Sequence, residues 1–86
     1  MQITVTIGES LQRDLGTDTA TKTVIIESAS GMDAIVAAAR AWPGLGGRIL
    51  NCDGALRRVV RLLRSGVEIE PGVRLQEGDE LLLTTG

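Results

Sequence analysis

The chain has 86 residues, a formal net charge of −2, 43% hydrophobic and 23% charged residues. That length supports one core, so a single domain over residues 1–86 is expected, and the charge balance offers no field for nucleic acid or a membrane surface. One cysteine, Cys52, excludes an internal disulfide, and the lack of histidine removes the commonest metal ligand and general base.

Aromatic content is confined to Trp42, so the core must come from Ile, Leu, Val and Ala, and no platform for stacking bases exists. There is no apolar run of about 18 residues and no basic start leading into an apolar signal region. A cytoplasmic protein is the simplest expectation. Independent catalysis is not expected, because small single-layer folds seldom enclose a pocket.

"MQITVTIG" alternates strictly, with Met1, Ile3, Val5 and Ile7 on one side and Gln2, Thr4 and Thr6 on the other. This is the pattern of a half-buried strand. Gly8 and "ESLQRDLGTDTA" are read as a turn, and "TKTVIIES" as a second β-branched strand completing a hairpin. "SASGMDAIVAAARAWP" changes the period to that of a helix, with Ser30 as N-cap and Asp33 three residues on. At 100° per residue Met32, Ile35, Val36 and Ala39 share one face with Trp42 at its margin, and Pro43 ends the helix. "GLGGRILNCDG" lacks the Lys-Ser/Thr ending of a P-loop and reads as a flexible connection.

"ALRRVVRLLRSG" admits helix and strand alike, but its length, the "SG" stop and the "VEI" that follows favour a strand and hairpin. Leu56, Val60 and Leu62 then face the helix, with Arg58 and Arg64 reaching outward from the same side near the strand ends. Arg57, Val59, Arg61 and Leu63 point the other way. "EGD" is a tight turn and "ELLLTT" the closing strand. The order β-β-α-β-β-β predicts an α+β fold, a mixed sheet of four to five strands covered by one helix. The strongly apolar first and last strands are expected side by side and parallel in its middle.

That order, with "MQITVTI", "AWPGL", "DGALRRVVRLLRSGVEI" and "LQEGDELLL" as landmarks, resembles the ubiquitin-like β-grasp, and more narrowly the MoaD/ThiS family of sulfur carriers. The most specific piece is the final "L-x-x-GD-x-aliphatic" strand. The resemblance implies that Gly86 is the acyl terminus and that Thr84 and Thr85 are its leash. It implies an E1-like enzyme that uses ATP to adenylate the glycine, and conversion to a thiocarboxylate for a sulfur-accepting synthase. No bound cofactor or metal is implied, and a monomer is expected when the protein is free. Two departures stand out: the chain ends Thr-Gly rather than Gly-Gly. Its tail after "GD" is also about four residues shorter than in the family, worth roughly 13 Å of extended reach.

Arg57, Val59, Arg61 and Leu63 are the candidate docking residues: two apolar positions among arginines suit an interface core with a charged rim. Leu82 joins them if it faces outward. Cys52, in the loop after the helix, is read as incidental, and Glu68 and Glu70 as charges of a solvent-facing or edge strand. Asp79 and Glu80, adjacent on a strand, point to opposite faces and cannot share a substrate. The alternative to a carrier is a non-catalytic β-grasp module that docks a partner through the sheet face and has an inert terminus.

Overall fold

The computed structural model describes residues 1–85. The alternating start of the chain forms β1 (Gln2–Ile7), and its apolar positions Ile3, Val5 and Ile7 are all buried. The segment read as a turn is instead a short helix, α1 (Glu9–Leu15), ended by Gly16 in the left-handed region. Gln, Arg and Leu are good helix formers, and burial of Leu11 gives these roughly two turns of helix their anchor. β2 (Thr21–Ile25) returns antiparallel to β1, pairing Ile3 with Val24 and Val5 with Lys22.

α2 (Gly31–Ala41) begins as its sequence predicts: the Ser30 hydroxyl oxygen accepts from the Asp33 amide at 3.2 Å and its hydroxyl donates to the Asp33 carboxylate at 3.0 Å. Two further amides at this end, Gly31 and Met32, donate to Val73 O and Pro71 O at 2.9 and 2.7 Å. The helix therefore starts against the connection that precedes the last strand. Its buried face differs from the predicted one. Ala34, Ile35 and Ala38 are buried, whereas Met32, Val36 and Ala39 are only half-buried. Ile35 is buried as predicted, the alanines beside it let the helix axis lie close over the sheet, and Met32 and Val36 are left at the flanks.

Trp42 is not marginal but 1% exposed, and its indole N–H donates to Thr19 O at 2.9 Å. Lys22, on the inner face of β2, lies over the Trp42 ring 5.3 Å from its centroid and donates to Ala41 O at the end of α2. The only lysine of the chain thus secures the C-terminal end of the helix to the sheet. The "GLGGRIL" connection is also more ordered than expected. It contains one helical turn, α3 (Gly46–Ile49), that buries Leu45 and Ile49.

β3 (Val60–Arg64) and β4 (Val67–Ile69) form the expected hairpin. Its two-residue turn holds Ser65 and Gly66 at φ 54° and 79°, both left-handed, as a type I′ turn requires. β5 (Glu80–Thr85) closes the sheet, whose order is β2-β1-β5-β3-β4. β5 runs parallel to β1 and antiparallel to β3, so first and last strands meet in the middle as predicted.

Trp42 connects three segments, and its replacement separates two contributions. Trp42→Ala is expected to cost about 3–5 kcal/mol through the cavity left in the core. Trp42→Phe keeps most of the packing and loses chiefly the bond to Thr19, about 1 kcal/mol. Thermal unfolding checks this: the alanine variant should melt more than about 10 °C below the parent, and the phenylalanine variant only about 4–8 °C below it.

Candidate functional site

Pairing register decides which residues share the sheet face that turns away from α2. Along one row Thr21, Thr6, Leu82, Leu63 and Glu68 lie side by side on β2, β1, β5, β3 and β4. Thr23, Thr4 and Glu80 form the next row, and Thr84 pairs with Arg61 on the other side. Leu63 and Leu82 are half-buried neighbours at the centre of this face. Arg61 and Glu68 form an exposed ion pair at 3.6 Å along its margin, and the Thr6 and Thr21 hydroxyls share a hydrogen bond at 3.0 Å. A shallow depression of about 410 Å³ crosses the face, bordered by Thr4, Thr6, Leu63, Leu82, Glu80 and the β3–β4 turn. An apolar centre with a polar and charged surround is the composition of a docking surface.

Of the candidate docking residues, the structure brings Arg61 and Leu63 together here and adds Leu82. Val59 is 61% exposed and immediately precedes β3, beyond the row that holds Leu63. Arg57 is not on the strand. Its guanidinium donates to Leu50 O and Gly47 O, both at 3.1 Å, and so closes the C-terminal end of α3. Arg58 is likewise exposed before β3 rather than on its inner face. Arg64 does lie inward, near the strand end, where it meets Asp79 at 3.3 Å and Arg74 O at 3.2 Å. Asp79 also accepts from the Gln76 amide at 2.8 Å, so its carboxylate holds the turn that launches β5. The threonines of β1 and β2 were legible only as a solvent side; pairing between the first and last strands gives them a place in the docking face.

Thr84 and Thr85 are the last described residues of β5, in register with Arg61 and Val60. β1 supports β5 only as far as Leu83, where the Gly8 amide donates to Leu83 O at 2.7 Å. The approach there is close: a Cβ at position 8 would lie 2.7 Å from Thr84 Oγ1 and 3.1 Å from Thr84 Cβ. Gly86 lies outside the described residues. Cys52 is exposed in the loop between α3 and β3. Among the described residues no cluster of three or more His, Cys, Asp or Glu side chains is placed to hold a metal ion. No helix among the described residues is long and apolar enough to cross a membrane.

No protein-family profile and no curated protein sequence matches the chain. Solved structures do. SAMP1 from Haloferax volcanii is 28% identical, with a TM-score of 0.88 over 100% of this chain and 96% of that one. CysO from Mycobacterium tuberculosis is 18% identical, with a TM-score of 0.71 over 98% of each chain, and shares the fold. The BexX/CysO complex of Amycolatopsis orientalis contains a chain 18% identical, with a TM-score of 0.72 over 98% of this chain and 94% of that one. These neighbours are ubiquitin-like sulfur carriers of the MoaD/ThiS type, so the β-grasp fold and the resemblance drawn from the sequence are borne out. They are small carrier or modifier proteins, and the 28%-identical SAMP1 is a small archaeal modifier protein.

Two arginines of the same cluster should behave differently. Arg57→Ala is expected to cost about 0.5–1.5 kcal/mol, because it frees the carbonyls at the end of α3. Arg61→Ala removes only an exposed pair and should stay within about 0.5 kcal/mol of the parent. Urea denaturation midpoints of the two variants check the contrast.

Proposed function

We propose that this chain is a sulfur carrier that an E1-like enzyme loads at Gly86. The carboxylate oxygen attacks the α-phosphorus of ATP and pyrophosphate leaves. Hydrosulfide then attacks the acyl carbon, AMP leaves with the bonding electron pair, and the thiocarboxylate that remains after loss of the proton serves a synthase that accepts sulfur. The carrier's part is to dock and to present an unhindered acyl carbon, since a side chain on the last residue would crowd the attack. The partner supplies the chemistry and the positioning.

The observation that carries this reading is the course of β5. It is paired on both sides through Leu83 and then held by β3 alone, beside the face formed by Leu63, Leu82 and Arg61. A partner on that face would find the end of the chain at its margin. Ends of strands open at little cost, so releasing Thr84 and Thr85 leaves the centre of the sheet intact. The BexX/CysO complex is a case of this fold engaging another protein. A cytoplasmic monomer that meets its partners transiently fits this reading.

A second reading rests on the pairing of Thr84 and Thr85 with Arg61 and Val60. A terminus kept in the sheet would make the chain a docking module with an inert end. Intact mass after incubation with an active E1-like enzyme, ATP and sulfide separates the two. The carrier gains about 16 Da, one terminal oxygen exchanged for sulfur, and neither a Gly86 deletion nor a parent reaction without ATP gives that gain. Leu63→Asp should slow loading at least tenfold while leaving the melting temperature within a few degrees, because the side chain sits at the surface of the sheet. An unmodified mass with a proven enzyme favours the module.

A further inference from the structure

The two edges of the sheet are built differently. β4 has three residues, carries Glu68 and is followed at once by Glu70 and Pro71. Short length, charge and proline all deter an additional strand. β2 has five residues, "TKTVI", and carries no outward charge or proline. Its one charged residue, Lys22, turns inward to Ala41 O and the Trp42 ring and cannot guard the edge.

Pairing with β1 fixes which backbone groups of β2 stay open. The Ile26 amide donates to Met1 O and the Ile7 amide to Ala20 O, so by alternation Lys22 and Val24 turn their peptide groups to β1. Thr21, Thr23 and Ile25 turn theirs to the open side. Ile25 is 78% exposed, the most exposed large hydrophobic residue among those described. Between this edge and α2 runs a groove of about 390 Å³ with Ile26, Val36 and Ala37 on its floor. Glu27 and Asp33 border it toward the end of β2, and Arg40 borders it at the opposite end, near the start of the strand.

We propose that this edge takes up an extended segment of a partner protein as a sixth strand, antiparallel to β2. Open N–H and C=O groups at every second residue match an extended backbone and little else. Antiparallel pairing is the more stable per residue, and for that direction the bordering charges fix the composition. An antiparallel segment brings its N-terminal end to Glu27 and Asp33, where it carries a basic residue, and its C-terminal end to Arg40, where it carries an acidic one. Between them, alternate residues are apolar on the floor of the groove, and one more apolar residue lies against Ile25. So short a strand buries far less than the roughly 1,200 Å² of a stable interface, so the association is transient. The site lies on a different part of the molecule from Leu63 and Leu82 and does not depend on loading of Gly86.

A fluorescein-labelled peptide, Arg-Val-Val-Thr-Val-Thr-Glu, tests this by fluorescence anisotropy and by backbone amide NMR of the full chain. Binding should shift the Thr21, Thr23 and Ile25 amides and slow their exchange. Ile25→Glu and Arg40→Glu should each weaken it at least tenfold with circular dichroism unchanged, and N-methylation at alternate peptide residues should abolish it. A Gly86 deletion should bind the peptide like the parent. The proposal is overturned by no binding at millimolar peptide, by indifference to Ile25→Glu, or by shifts confined to the Leu63–Leu82 face. A concentration-dependent dimer that Ile25→Glu disperses would also overturn it, since a second copy would then cover the edge.

Discussion

Pairing of the first strand with the last is the constraint on which the rest of the structure depends. β1 and β5 are separated by most of the chain, yet they lie side by side and parallel with Thr4 opposite Glu80 and Ile7 opposite Leu83. The alternation of "MQITVTI" and of "ELLLTT" allows one register in which both strands turn their branched residues to α2. A slip of one residue would turn Leu81 and Leu83 into solvent. Such contacts close the longest loop the chain can form, so they cost the most entropy and fix the topology once made. The same register sets Leu82 beside Leu63 and places the end of β5 at the margin of that face.

One sheet carries three surfaces, each with its own chemistry. The inner face is aliphatic apart from Lys22, Arg64 and Thr85, and the two cations reach carbonyls at the periphery. Burying their stems while satisfying their charges at the rim avoids the cost of an unpaired cation. Threonine supplies five of the twelve outward strand residues, which keeps this face polar and leaves Leu63 and Leu82 as its apolar centre. The β2 edge is guarded by no charge, because the lysine that would serve there holds the helix instead. Assigning Lys22 to the core is thus what opens the edge.

Most of the fold was legible in the sequence because its signals are local and repeated. Strict alternation marks β1, the Ser30–Asp33 pair marks the start of α2, and the "SG" stop marks the β3–β4 turn. α1 was not legible: seven residues with only Leu11 and Leu15 as apolar anchors carry too little periodicity to outweigh a polar composition. The buried face of α2 was misjudged for a physical reason. Hydropathy ranks Met32 and Val36 above Ala34 and Ala38, but close approach of helix and sheet selects the small residues. Arg57 was placed on the strand by its spacing, whereas the carbonyls at the end of α3 draw it away. Of the docking face, Arg61 and Leu63 could be placed from alternation alone; Leu82 and the threonines needed the long-range pairing that no local pattern encodes.

Behind the carrier reading stands one mechanical claim, that the sheet grips β5 firmly through Leu83 and loosely after it. Amide exchange followed residue by residue addresses it directly. The Leu81 and Leu83 amides should exchange only through global unfolding, whereas Thr84 should exchange through local opening at a rate about a hundredfold higher or more. Equal protection at Thr84 and Leu83 would mean that the end of the strand is locked into the sheet, and a terminus so held could not be presented to an activating enzyme.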